Sequence, residues 1–231
     1  MPHPAPGWIA RLNRSQLIAE YSMWSADLIR LAEDLTRIRP HADILHVDVA
    51  DGVFAPAYLF FPDLVARMRG ATDLPIHVHL MVADGQVLPQ IDQFAEAGAD
   101  LISLHVENAA VADAALARIA ELGLASGMVL RVETPVEQAA VYLQRVDFLT
   151  LLGTAIGVKG QGLDPSAGAR LQQAAGLIAA AGRDIVLAAD GGIRDTTVPL
   201  MRAAGAETVV MGSLAFGAAD LGARMEWLRG L

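Results

Sequence analysis

From residue 17 onward, short runs that are apolar throughout alternate with longer segments whose apolar residues recur every three to four positions. The short runs predict strands at 17–23, 43–49, 76–82, 101–106, 127–132, 148–152, 185–189 and 208–211. The longer segments predict helices at 25–39, 62–69, 86–97, 109–122, 135–143, 165–181, 196–204 and 214–228. Ser25, Ala26 and Asp27 are expected to cap the first helix, whose apolar face is Leu28, Leu31, Ala32 and Leu35. Strands that are apolar on both faces belong to a parallel sheet covered on both sides. Eight strand–helix units in 231 residues then predict an α/β chain closed into a (β/α)8 TIM barrel, with an open doubly wound sheet as the competing topology. Gly98, Gly123, Gly182 and Gly205 each stand where a helix must end before the next strand. A long loop, 51–61, follows the second strand. Residues 1–16 fall outside the repeat and read as an N-terminal extension, with an extra helix over 8–14 covering the barrel floor or a partner subunit. Residues 17–231 read as a single domain.

Composition narrows the partners. The chain is 54% hydrophobic with mean hydropathy +0.40, enough for one large core. A net charge of −9 without a Lys/Arg cluster argues against nucleic acid or an anionic membrane as partner. With no cysteine, any metal must be held by nitrogen and oxygen, and a reducing compartment is compatible. No run approaches the roughly 20 apolar residues of a membrane span. The start, 1–7, lacks a basic region followed by an apolar stretch, so a cytoplasmic location is expected.

Four residues carry the candidate chemistry. His46, Asp48, His79 and Asp190 all lie near the C-terminal ends of apolar strands, where unpaired titratable groups are costly to bury. His46 and Asp48 are two apart and share a face; His77, His79 and Met81 do likewise. In a barrel that face points inward at the rim where such enzymes work. One divalent metal ion accounts for all four; a His2Asp2 set suits Zn²⁺ first, and also Mn²⁺, Fe²⁺ or Co²⁺. Glycine-rich loops follow the late strands: Gly157, Val158, Lys159, Gly160 after the sixth, Gly191 and Gly192 after the seventh, Gly212 and Ser213 after the eighth. Backbone N–H groups in such loops suit an anion, and the loops after strands seven and eight are the usual phosphate grip of this fold. His105 and Glu107 share a rim-facing parity and can orient His79. Arg131 is read as reaching the rim, to bind an acidic group or to pair with Glu133. Asp51 and Gly52 read as a turn. Met68, Met128, Met201, Met211 and Met225 read as core.

Over roughly residues 17–229 the chain resembles the ribulose-phosphate 3-epimerase family. The resemblance rests on Ser22-Met23-Trp24-Ser25-Ala26-Asp27, Leu45-His46-Val47-Asp48-Val49-Ala50-Asp51-Gly52, His79-Leu80-Met81-Val82, His105-Val106-Glu107, Asp190-Gly191-Gly192 and Gly212-Ser213, in that order. It implies a ribulose-phosphate-binding barrel holding a divalent metal through His46, Asp48, His79 and Asp190. It also implies substrate contacts from Ser22 and His79, a phosphate held by Gly157, Val158, Lys159, Gly160, Gly192, Gly212 and Ser213, and a homo-oligomer. The implied reaction inverts C3 of a ketose phosphate, best D-ribulose 5-phosphate to D-xylulose 5-phosphate. It runs through a metal-stabilised cis-enediolate, with Asp48 and Asp190 exchanging the proton.

The chain departs from the family where methionines that pack on the enediolate read Ala50 and Leu152, leaving Met81. An asparagine after the second strand reads Ala57, and the loop after the sixth strand reads Ala155-Ile156-Gly157-Val158-Lys159-Gly160-Gln161. These departures keep open an epimerase for a four- or six-carbon keto-sugar phosphate, and a non-catalytic phosphosugar-binding barrel. Lys159 is open to two readings, a point charge for the phosphate or a solvated rim residue.

Overall fold

The computed structural model describes residues 3–231. Eight parallel strands close into a barrel in chain order: β1 (Ile18–Ser22), β2 (Ile44–Ala50), β3 (Ile76–Met81), β4 (Leu101–His105), β5 (Ala125–Leu130), β6 (Phe148–Leu152), β7 (Val186–Asp190) and β8 (Thr208–Met211). The helices are α1 (Leu31–Ile38), α2 (Pro62–Ala71), α3 (Asp84–Ala97), α4 (Ala112–Glu121), α5 (Ala167–Ala181), α6 (Val198–Ala203), α7 (Ser213–Phe216) and α8 (Leu221–Arg229). Nearly every strand residue is buried, because one face fills the barrel and the other lies under helices. Val47, Val78, Leu104, Leu149 and Leu187 face outward and pack with Leu35, Val65, Ile91, Ile119 and Leu171 of the helices. Each such side chain contributes about 2 kcal/mol of burial. The five methionines expected in the core are buried. Among the described residues, no helix is long and apolar enough to cross a membrane.

Period-two alternation sorts the inward side chains into layers. The lowest holds Ile18, Ile44, Leu101, Phe148 and Val186, closed from below by Trp8, Ile9 and Leu12. The Trp8 and Phe148 rings stand 6.3 Å apart. The extra helix expected over 8–14 is a single 3-10 turn, Ile9–Arg11, and it lies against this floor. Above the floor comes a polar layer of Glu20, His46, His77, Ser103, Thr150 and Thr208, all 0% exposed. At the C-terminal mouth stand Ser22, Asp48, His79, His105, Leu152 and Asp190.

Three connections differ from expectation. The first helix starts at Leu31, not residue 25. Asp27 Oδ1 accepts the N–H of Ile29 and Asp34 Oδ2 accepts the N–H of Asp27, and these local bonds compete with helix formation. The segment after β5 holds a 3-10 turn, Val136–Ala139, in place of an α-helix over 135–143; its N–H groups, as in Gln138 to Pro135 and Tyr142 to Ala139, close three residues back. The last helix breaks at Gly217 into α7 and α8. By contrast, Gly98, Gly123, Gly182 and Gly205 all take left-handed φ at helix ends, and a Cβ on Gly98 would lie 2.5 Å from Arg69 Cγ.

Candidate active site

The register of β2 on β3 sets Asp48 beside His79, while β7 brings Asp190 from across the mouth. His46 Nε2 lies 3.2 Å from Asp48 Oδ1 and 3.9 Å from Asp190 Oδ2; His79 Nδ1 lies 3.3 Å and 3.9 Å from the same two oxygens. One donor atom from each of the four residues falls within 4.8 Å of all the others. His46 Nε2 is buried with no hydrogen-bond partner, an arrangement that costs about 1–3 kcal/mol unless something accepts its lone pair. Two imidazole nitrogens and two carboxylate oxygens are the donor set of a divalent transition cation, and the residues present fit one.

Behind each imidazole a carboxylate fixes the tautomer. His46 Nδ1 donates to Glu20 Oε2 at 3.0 Å, which leaves Nε2 as its lone pair. His77 Nδ1 donates to the same Glu20 oxygen at 2.8 Å, and Ser103 Oγ donates to His77 Nε2 at 2.7 Å. A Cβ on Gly127 would lie 2.1 Å from that hydroxyl, so the glycine makes room for it. Thr208 Oγ1 donates to the other Glu20 oxygen at 3.3 Å. On the other side, His79 Nε2 donates to His105 Nε2 at 2.8 Å, and His105 Nδ1 donates to Glu107 Oε2 at 3.1 Å. Glu107 Oε1 takes the Thr134 hydroxyl and the Arg131 N–H. His79 therefore presents Nδ1 to the cluster.

The electrostatics divide the two aspartates. Burial raises both. For Asp48 the charge of His46 and the hydrogen bonds from His46 and His79, which these imidazoles supply when protonated, outweigh it and hold the carboxyl well below its ordinary range. For Asp190 burial wins against the pull of His46, with the Asp48 charge adding to it, and the carboxyl is pushed up to about 6. Burial lowers His46, but Asp48 and Glu20 override it and raise the imidazole well above its ordinary value, so protons compete with a cation for Nε2. Burial takes His77 and His105 down to about 4. Burial of Glu107 is outweighed by the His105 and Thr134 hydrogen bonds, which hold it at about 2.

A cavity of about 350 Å³ opens above the cluster. Ser22, Asp48, His79, Met81 and Asp190 line one end; Gly157, Val158, Lys159, Gly160, Gly191, Gly192, Gly212 and Ser213 line the other. His46 sits beneath, reaching the cluster but not the wall. Ser22 Oγ donates to Asp48 Oδ2 at 2.9 Å, so one Asp48 oxygen faces the imidazoles and the other is turned by the serine. Leu152 lines the wall, whereas Ala50 and Ala57 pack around Met81 with Phe54, Ala55, Leu59 and Ile156. Arg131 does not reach the cavity or Glu133: its guanidinium lies 4.1 Å from the Phe54 ring and donates to the Phe54 carbonyl at 2.8 Å. In the long loop Phe60 is buried, and Tyr58 and Phe61 are exposed away from the cavity. Sequence reasoning missed Glu20, Ser103 and Thr208 in the support layer, and Trp24 and Arg194 on the wall. For Glu20 a signal existed, an acid inside an apolar strand in period-two phase with Ser22.

The chain matches the model of the ribulose-phosphate 3 epimerase family over residues 18–216. It is 32% identical over 211 residues to the ribulose-phosphate 3-epimerase of Bacillus subtilis, covering 90% of this chain and 96% of that one. It is 32% identical to the Escherichia coli ribulose-phosphate 3-epimerase, covering 89% and 91%, and 31% identical to the chloroplastic ribulose-5-phosphate-3-epimerase of Arabidopsis thaliana, covering 92% and 76%. Among solved structures, a 3-hexulose-6-phosphate synthase superposes with a TM-score of 0.64 at 19% identity, covering 93% and 99%, and shares the fold. An orotidine 5'-phosphate decarboxylase from Pyrococcus horikoshii shares it too, with a TM-score of 0.67 at 13% identity over 92% and 97%. With its closed barrel and its extended match to these enzymes, the chain belongs to the ribulose-phosphate 3-epimerase family and is an isomerase of that kind.

Proposed function

We propose that this enzyme inverts C3 of a ketose phosphate, with D-ribulose 5-phosphate and D-xylulose 5-phosphate as the pair it interconverts. The observation that carries this reading is the pair of carboxylates, Asp48 on β2 and Asp190 on β7, which approach one cluster from different sides of the barrel. Epimerisation without net redox requires removing a proton from one face of C3 and returning one to the other. Asp48, with one oxygen turned by Ser22, takes the proton on one face; Asp190, protonated at the start of that turnover and set on β7 across the mouth, returns one to the other. In the reverse direction the roles exchange. A divalent cation held by His46, Asp48, His79 and Asp190 supplies Lewis-acid stabilisation of the charge that develops on the sugar oxygens. An Asp48 held so low is a weak base, so acidification of C3–H carries much of the work. Ser22, His79 and Met81 line the reacting end, and the backbone of Gly157, Val158, Gly160, Gly191, Gly192, Gly212 and Ser213 receives the phosphate, which supplies positioning far from C3.

The test is solvent-deuterium exchange at C3 with a panel of four-, five- and six-carbon ketose phosphates. The reading predicts exchange, with the highest kcat/KM on the five-carbon pair. Preference for a four- or six-carbon phosphate would move the substrate and keep the chemistry, an outcome favoured by Ala50, which changes the bulk around Met81, and by Leu152 on the cavity wall. No exchange with any of them would overturn the reading.

A further inference from the structure

Of the 17 basic side chains in this chain, Lys159 is the one lysine. The other positions all use arginine, so this ammonium is a single, distinguishable group. Lys159 stands in the β6–α5 loop between Gly157 and Gly160, both with left-handed φ (+70° and +79°), and lines the cavity. Among the described residues no carboxylate lies within 4.0 Å of its ammonium. Instead Nζ donates to the Trp24 carbonyl at 2.5 Å and sits 4.5 Å from the centre of the Trp24 ring. It thus crosses the mouth from the β6 side to the β1 side. A neutral carbonyl and a ring face are weaker partners for an ammonium than an anion is. Burial lowers the pKa of this lysine, a cost that an anion alongside it would relieve. A compact ammonium on a four-carbon stem swings between acceptors, whereas a planar guanidinium is built for a fixed fork.

We propose that Lys159 is an anion-operated latch: its ammonium rests on Trp24 in the free enzyme and transfers to the phosphate monoester of the bound ketose. The proposal rests on the sugar-phosphate reading of that cavity.

A single lysine makes the test direct. Protein grown with [13C]lysine shows one side-chain Cε signal, shifted in the free state by the Trp24 ring; Trp24→Leu should abolish that shift and so identify the resting position. Inorganic phosphate and D-ribulose 5-phosphate should each move the signal saturably, and unphosphorylated D-ribulose at equal concentration should not. Lys159→Met should raise KM for the ketose phosphate roughly tenfold, with a smaller change in kcat. Turnover of the ketose phosphate with the lysine signal unmoved at saturation overturns the latch and leaves the reaction standing. Failure of every phosphate-bearing probe to bind overturns the latch together with the sugar-phosphate reading.

Discussion

The two ends of the cavity are built from different material. At the cluster end every group stands on a strand: His46 and Asp48 on β2, His79 on β3, Asp190 at the last position of β7. Each imidazole there is held by a second buried group, Glu20 or His105. At the remote end the wall is loop, with left-handed glycines and an exposed lysine. Strands locked in a closed sheet hold side chains to the tolerance that proton transfer needs, while loops supply backbone N–H groups and can move with an anion. Chemistry at the first end should therefore respond steeply to small changes, and binding at the second should respond gradually.

The steepest effect belongs to the paired carboxylates. Asp48→Asn and Asp190→Asn should each lower kcat by roughly 10³-fold, about what a positioned acid or base contributes, with near-native thermal stability. A loss of only a few fold in steady-state assays would mean that neither group moves the C3 proton. Acid should come next. Glu107 sits at about 2 when folded against an ordinary 4.5. Its stabilising contribution is complete above 4.5 and disappears as pH falls towards 2, worth about 3 kcal/mol at most. Between 6.5 and 4 three shifts compete. His77 and His105, both lowered to about 4, cost stability as pH falls, whereas Asp190, raised to about 6, adds it, so the net effect is a loss. Calorimetry on metal-stripped protein should show a moderate loss as pH falls to 4.5 and a steeper loss below it, the steep part reduced in Glu107→Gln.

Glu20→Gln tests the support layer. An amide can still offer one carbonyl oxygen to His46 and His77, but it removes the negative charge that makes His46 a strong ligand and turns an NH2 towards Thr208 where the carboxylate accepted a hydrogen bond. Affinity of the stripped protein for Zn²⁺, by competition with a chelator, should fall roughly 10–100-fold. Unchanged affinity would make Glu20 a packing residue. The smallest effect belongs to the loop. Gly160→Ala imposes roughly 1–2 kcal/mol of strain at φ +79°, yet open space surrounds the added Cβ. KM for the ketose phosphate should rise a few fold and Zn²⁺ affinity should hold. A loss of Zn²⁺ affinity as large as that of Glu20→Gln would erase the contrast between the two ends.

The same contrast decides what was legible in the sequence. On strands, alternation and apolar flanks point side chains without ambiguity, so His46, Asp48, His79 and Asp190 were readable as one inward set and the eight-strand barrel followed from repetition. Glu20 obeyed the same rule and was passed over, because a lone acid offers no partner along the chain; its partners His46 and His77 come from other strands. Arg131 failed for the opposite reason. It stands one residue past the end of β5, and the Phe54 ring and carbonyl, brought by a loop distant in sequence, take a side chain that local reading aims at the rim. Helix starts were similarly lost to side-chain bonds such as Asp34 to the Asp27 N–H, which no periodicity reveals.

The central claim is that four groups from three strands converge on one cation. Anomalous diffraction from Zn²⁺-loaded crystals at the zinc absorption edge tests it most directly. A single peak per chain is expected, roughly 2.0–2.2 Å from His46 Nε2, His79 Nδ1 and an oxygen each of Asp48 and Asp190. A peak elsewhere in the molecule, or none among these four side chains, would contradict the account.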